Sequence, residues 1–203
     1  MLEDRRIKKS KQAIKQAFIQ LLQEQELDKI TIRDITTLAD INRGTFYLHY
    51  VDKYDLLSSM EDEYITHLSE KLNFDYLLKQ YDSTEAFARE FTSNILKNIM
   101  SYIDSNIDFY KVILNLERKS QIENKISQLM FNNMQTHITS ENQIAGIPLD
   151  YFHSYVSGAT ISFIKHWVQD DNRMSVDDLS DILFKIIFNG PLRLMANEKY
   201  DQY

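Results

Sequence analysis

Cysteine is absent from the 203 residues. Neither a disulfide framework nor a thiolate metal site can form. Proline occurs twice and glycine four times, so there are few breakers, and long helices are favoured over many short strands and tight turns. No apolar run approaches the ~18 residues of a membrane span. The opening MLEDRRIKKSK lacks the apolar core of a signal peptide. The expectation is a soluble, cytoplasmic protein without membrane contact. There is no Gly-rich phosphate loop, no His-Glu-x-x-His and no nucleophile–base–orienter set. His137, His153 and His166 do not have metal-ligand spacing. No metal site, cofactor or enzymatic activity is expected.

What is present begins with charge. The net value is −7, which by itself argues against nucleic acid, but distribution matters more than the sum. Residues 1–57 carry ten Lys/Arg against nine Asp/Glu, and the remainder 13 against 21. Arg5, Arg6, Lys8, Lys9, Lys11 and Lys15 form a run with no intervening acid. A solvated helix face or a frayed terminus would look the same.

Apolar residues make up 43% of the chain, enough for a substantial core. Ile14, Ala17, Phe18, Leu21 and Leu22 recur at helical spacing, which predicts a first helix over about 7–25. Thr31 followed by Asp34 is a capping pattern that opens a short second helix, with Ile32, Ile35, Leu38 and Ala39 on its apolar face. Asp40 belongs to a residue type that tolerates a left-handed turn. Asn42 can cap a third helix over about 43–49. A fourth starts near Asp52. Two short helices joined by about three residues, flanked by longer ones, have the layout of a helix-turn-helix in a small bundle. From about 84 onward the pattern is helical throughout. It is interrupted by a loop at 145–148 and ended or kinked at Gly190-Pro191. No strand is expected.

The stretch DINRGTFYLHYVDKYDLL, 40–57, crowds aromatic and basic groups around one of the few glycines. On a helix, Phe46 and Tyr50 share one face and can pack on the second helix. Gly44, Thr45 and His49 lie on the far side, and Arg43 and Tyr47 lie at the flank. Gly44 costs up to ~1 kcal/mol of helix propensity relative to alanine, and would permit close approach to another surface. For a recognition helix that surface is the major groove. Arg43 could then reach a guanine edge, a contact worth roughly 1–3 kcal/mol of discrimination. Thr45, Tyr47 and His49 suit phosphate oxygens, as does Lys53 at the start of the fourth helix. Thr31 and Arg33 could touch the backbone at the start of the second.

In combination, Thr31-x-Arg33-Asp34-Ile35, Ala39, Gly44-Thr45-Phe46-Tyr47, His49 with Tyr50, and Lys53-x-x-Leu56 resemble the DNA-binding segment of the TetR family of bacterial transcriptional regulators. Asp40 stands where that family usually has glycine, Asn42 where it often has serine, and Tyr50 where it often has phenylalanine. The resemblance implies an all-α fold of about nine helices in two domains. A helix-turn-helix three-helix bundle over 1–57 would have its recognition helix at about 43–49, with Asn42 as its cap among the DNA-facing residues. A larger helical effector-binding and dimerisation domain would take in 58–203. It also implies a homodimer joined through the last two helices, a double-stranded and palindromic operator, and most often a repressor controlled by a small-molecule effector. A helical adaptor that keeps the fold but acts through protein contacts is the competing reading.

Tyr151 to Leu179 also resembles, more weakly, the C-terminal region of one branch of the family. Gly158 and Ala159 would allow close helix–helix approach there, and the helices near 150–168 and 176–189 carry broad apolar stripes. Phe87, Phe91, Tyr102, Phe109, Tyr110, Phe131, Tyr155 and Phe163 could line an aromatic pocket for the effector. Aromatics at this spacing also serve as plain core.

Overall fold

The computed structural model describes residues 5–72, 74, 79–116, 119–138 and 141–200. Among them, helices dominate: α1 (Arg5–Glu24), α2 (Ile32–Leu38), α3 (Arg43–Tyr47), α4 (Lys53–Ser69), α5 (Thr84–Phe91), α6 (Lys97–Ser105), α7 (Ile107–Ile113), α8 (Ile122–His137), α9 (Leu149–Gln169), α10 (Val176–Asn189) and α11 (Pro191–Tyr200). The all-α expectation holds. A π-helical turn, Thr92–Leu96, joins α5 directly to α6, so the two form one helical run. No described helix is long and apolar enough to cross a membrane.

Two compact units divide the chain: Met1–Thr66 with Asp108–Ile126, and His67–Ile107 with Ser127–Tyr203. These differ from the 1–57/58–203 division expected from sequence, because much of α4, α7 and the start of α8 join the first unit.

In the first unit, α1 packs on α2 and α2 on α3. Ile14, Phe18, Ile35, Phe46, Leu56 and Met60 are completely buried. Periodicity explains this: the 3.6-residue repeat of α1 delivers Ile14, Ala17, Phe18 and Leu21 to one side. Tyr64 of α4 stacks on Phe109 at 3.6 Å between ring centroids, with Tyr110 edge-on. Glu61 is buried at 1% exposure. It accepts hydrogen bonds from Ser120 Oγ at 2.7 Å and the Gln121 N–H at 2.9 Å, while Lys125 Nζ lies 3.4 Å away. A carboxylate from α4 thus serves the amide just before α8, in the place that a capping side chain of α8 itself would otherwise take.

In the second unit, α10 packs on α5, the π turn and α6. Ser83 and Ser175 cap α5 and α10 by accepting from the Ala86 and Asp178 amides. Trp167 donates its indole N–H to the Met174 carbonyl, 3.0 Å, and Arg173 lies over its ring. Residues 143–148 depart from the expected loop. Gln143–Ile144 and Ile147–Pro148 pair as a minimal antiparallel hairpin, turned by Ala145 and Gly146, both at positive φ. Gly190, φ +76°, ends α10. Pro191 then opens a further helix, consistent with proline's fitness for a first helical position.

Candidate nucleic-acid interface

The turn between α2 and α3 is built by local hydrogen bonds. Thr31 caps α2 in a reciprocal box: its Oγ1 accepts from the Asp34 N–H at 3.2 Å, and its own N–H donates to Asp34 Oδ2 at 2.9 Å. Those bonds hold the Asp34 carboxyl below the usual carboxylate range, with the Thr31 hydroxyl the largest cause. Asp40 takes φ 52°, the left-handed geometry expected of it. Asn42 Oδ1 then accepts from the Thr45 N–H at 2.8 Å and from its hydroxyl at 3.1 Å, capping α3.

Gly44 has a local reason. A Cβ there would meet Asn42 Oδ1 at 3.2 Å, so a larger residue presses on the cap. Gly44 is exposed, as are Arg43 and Tyr47. Arg43 Nη2 donates to Tyr47 Oη at 3.3 Å, one turn apart, so guanidinium and phenol stand together on the open side of α3. Phe46 is completely buried and Tyr50 nearly so, packed 5.7 Å apart. The helix ends sooner than the 43–49 expected. Leu48 is its C-cap, and His49 and Tyr50 lie in the turn beyond. Thr31 and Arg33 are exposed at the start of α2.

Two expected DNA-facing residues are hydrogen-bonded within the first unit. His49 Nε2 lies 2.8 Å from Ser10 Oγ of α1. Ser10 Oγ also lies 3.0 Å from the Ile7 carbonyl. Lys53, expected at a phosphate, is hydrogen-bonded to the loop before α2. Its ammonium donates to the carbonyls of Leu27 at 2.8 Å, Asp28 at 3.0 Å and Ile30 at 2.8 Å. All three protons are engaged, and the side chain clasps the loop before α2 to the start of α4. Helical periodicity could not show this, since the acceptors lie more than twenty residues upstream. Glu61 and Ser10 were missed for the same reason. Leu48 and Val51, at 81% and 78% exposure, are also on this side of the chain without a role assigned from sequence.

The eight aromatics proposed for an effector pocket are divided between the two units. Phe109 and Tyr110 are core of the first unit. Tyr155 is 68% exposed. Phe87 is exposed and edge-on to Tyr81, Phe131 packs on His153, and Phe91 and Phe163 are half-buried. The second unit holds a cleft of about 570 Å³ lined by Glu70, Lys71, Asn98, Ser101, Tyr102 and Ser105. Tyr102 alone is common to both sets, and the lining is polar where apolar rings were expected. Periodicity marks which aromatics point inward, but not which of them leave space between them.

Comparison with known proteins bears on the whole arrangement. Residues 14–60 match the family model of bacterial regulatory proteins, tetR family, and residues 90–189 match that of a transcriptional regulator C-terminal region. The HTH-type transcriptional regulator YxbF of Bacillus subtilis (strain 168), itself uncharacterized, is 45% identical over 58 residues, which are 28% of this chain and 15% of that protein. The chain therefore spans a small part of this curated relative. A TetR transcriptional regulator from Streptococcus agalactiae 2603V is 26% identical, covering 91% of this chain and 96% of the other with a TM-score of 0.61. One from Syntrophomonas wolfei str. Goettingen shares the fold at 17% identity, over 90% and 94% of the two chains, with a TM-score of 0.69. These relatives are transcriptional regulators rather than enzymes. A capped helix-turn-helix and a second all-helical unit, matched by family models at both ends, have one common explanation: the chain belongs to the TetR family of bacterial transcriptional regulators.

Proposed function

We propose that the protein binds a palindromic operator as a homodimer, reads it with α3, and represses transcription until a small-molecule effector releases it. The observation that carries the reading is the exposed Arg43–Tyr47 pair on a helix whose other face is fixed by Phe46 and whose start is fixed by the Asn42 cap. An exposed guanidinium on such a helix can make two parallel hydrogen bonds to one guanine. Thr31, Arg33, Thr45 and Tyr47 supply hydroxyl and guanidinium groups for the flanking backbone. Leu48 and Val51 offer apolar contact to thymine methyl groups.

Dimerisation is supported by the outer side of α9. Tyr151, Tyr155, Gly158, Ala159 and Ser162 are exposed at helical spacing, and Ile187 and Phe188 of α10 are exposed as well. A Cβ on Gly158 would meet nothing within 4 Å. Its smallness serves no contact inside the protomer, whereas a second helix could approach closely there. The effector reading is supported by the polar cleft around Tyr102, which suits a ligand rich in hydrogen-bonding groups.

Selection of bound duplexes from a random pool tests the reading. The wild type should enrich a two-fold symmetric sequence, and Arg43→Ala should lose preference at one base pair of each half-site at about 1–3 kcal/mol. A pool that stays random with the wild type, or an Arg43→Ala protein with unaltered preference, would sink it.

A further inference from the structure

We propose that the first two turns of α1 form a second DNA-contacting element, in which Arg5, Lys8 and Lys9 grip backbone phosphates beside the groove entered by α3. The inference rests on the DNA-binding reading above and adds a surface that precedes residue 14, where the matched family model begins.

The residues themselves are the first observation. α1 opens with Arg5, Arg6, Lys8, Lys9 and Lys11, and no acid lies in its first turn. Cations at the positive end of a helix oppose the macrodipole, so this composition works against the helix that carries it. At about 100° per residue, Arg5, Lys8 and Lys9 share a face with Gln12 and Gln16, and all five are exposed.

The second observation is where ion pairing stops. Lys15, two turns into α1, pairs with Glu63 of α4. Arg5, Lys8 and Lys9 pair with no carboxylate among the described residues. Three acids of the helix-turn-helix segment are engaged elsewhere. Asp34 closes the α2 capping box, and Asp52 and Asp55 accept backbone N–H groups at the start of α4. The three cations remain available to an external anion.

The third observation ties this end of α1 to the recognition element. Ser10, on the opposite side of α1, is hydrogen-bonded to His49, the second residue past α3. The imidazole therefore fixes the cationic turns relative to the end of the helix that enters the groove. Exposed ammonium and guanidinium groups on a helix bonded to the end of a groove-reading helix match the charge of a phosphate backbone. They carry no base-reading geometry of their own.

The test is the full chain with Arg5→Gln, Lys8→Gln and Lys9→Gln together. Binding is measured by fluorescence polarisation over a range of salt, on a labelled random-sequence duplex pool and on a duplex enriched by the wild type. Three cations in each of two subunits, at roughly 0.9 per phosphate, set an upper change of about five in the slope of log affinity against log salt. A fall of two or more, on both duplexes and with base preference unchanged, supports the proposal. A slope unchanged within one unit overturns it, as does a changed base preference, which would make the element a reader. A thermal melt keeps folding separate: the variant should melt no lower than the wild type, because it loses like charges from one helix end. If Arg43→Ala loses discrimination while the triple variant keeps its slope, this inference fails and the recognition-helix reading stands. If the wild type binds neither duplex, the reading beneath it fails.

Discussion

Lys53 has a single charge and three protons, and each proton meets a backbone carbonyl of the 27–30 loop. Hydrogen bonds from a charged donor contribute about 1.5–3 kcal/mol each at most, and stranded acceptors add a desolvation cost. Lys53→Met should therefore lower stability by about 1–3 kcal/mol in urea titration and leave the salt dependence of DNA binding unchanged. An unaltered unfolding midpoint with a shallower salt slope would return the ammonium to a phosphate. Acid should act on a different residue. The Asp34 carboxyl is held low by Thr31 and that of Asp28 by the Lys119 ammonium. Both bind their proton less readily in the folded state. The stability they contribute is present above the unfolded carboxylate range, near pH 4, and is lost as pH falls through the lower folded values. Asp34→Asn should flatten the fall in melting temperature between about pH 4 and 2. If wild type and variant lose stability in parallel, the capping box is not its source.

Among elements, α4 and α8 are joined by two carboxylates, of which one is buried. Glu61 is buried and meets Ser120, the Gln121 amide and Lys125. Removing it leaves the Gln121 N–H without that partner and one buried contact of Lys125 lost, though Lys125 keeps Asp62 at 2.6 Å. Glu61→Ala should cost about 1–3 kcal/mol, and Glu61→Gln less, since an amide oxygen still accepts. Hydrogen exchange at the Gln121–Lys125 amides should accelerate in Glu61→Ala ahead of the rest of the chain. Uniform acceleration would mean that the residue only fills space. The cap of α2 was legible because Thr31 and Asp34 are three residues apart, whereas the cap of α8 was not, because its acceptor lies sixty residues before Gln121. The hairpin at 143–148 escaped notice for another reason. Two-residue strands have no periodicity to detect, and its turn uses Ala145 where asparagine would have signalled it.

For the whole molecule, charge and exposure divide the labour. The cationic residues concentrate before Lys15, while α9 and α10 present exposed Tyr151, Tyr155, Ile187 and Phe188. With Tyr155→Asp and Phe188→Asp together, the protein should sediment as a monomer at micromolar concentration and keep its helical circular dichroism. Its affinity for a two-fold site should fall by 10²-fold or more, since the second half-site no longer binds at high effective concentration. A wild type that is itself monomeric would refute the dimer, and a variant that remains dimeric would move the interface elsewhere.

Composition and pattern alone determined the all-α class, the caps of α2 and α3, the left-handed turn at Asp40 and the family. The caps and the turn depend on residues within four positions of one another, where sequence spacing and spatial distance are nearly the same quantity. Only tertiary structure decided that Lys53 clasps a loop, that Glu61 serves α8 and that Ser10 meets His49. Those outcomes depend on which surfaces meet after the chain has turned back on itself. A side chain's donors and charge set what it can bond, but the partner is chosen by whichever acceptor the fold brings within about 3 Å.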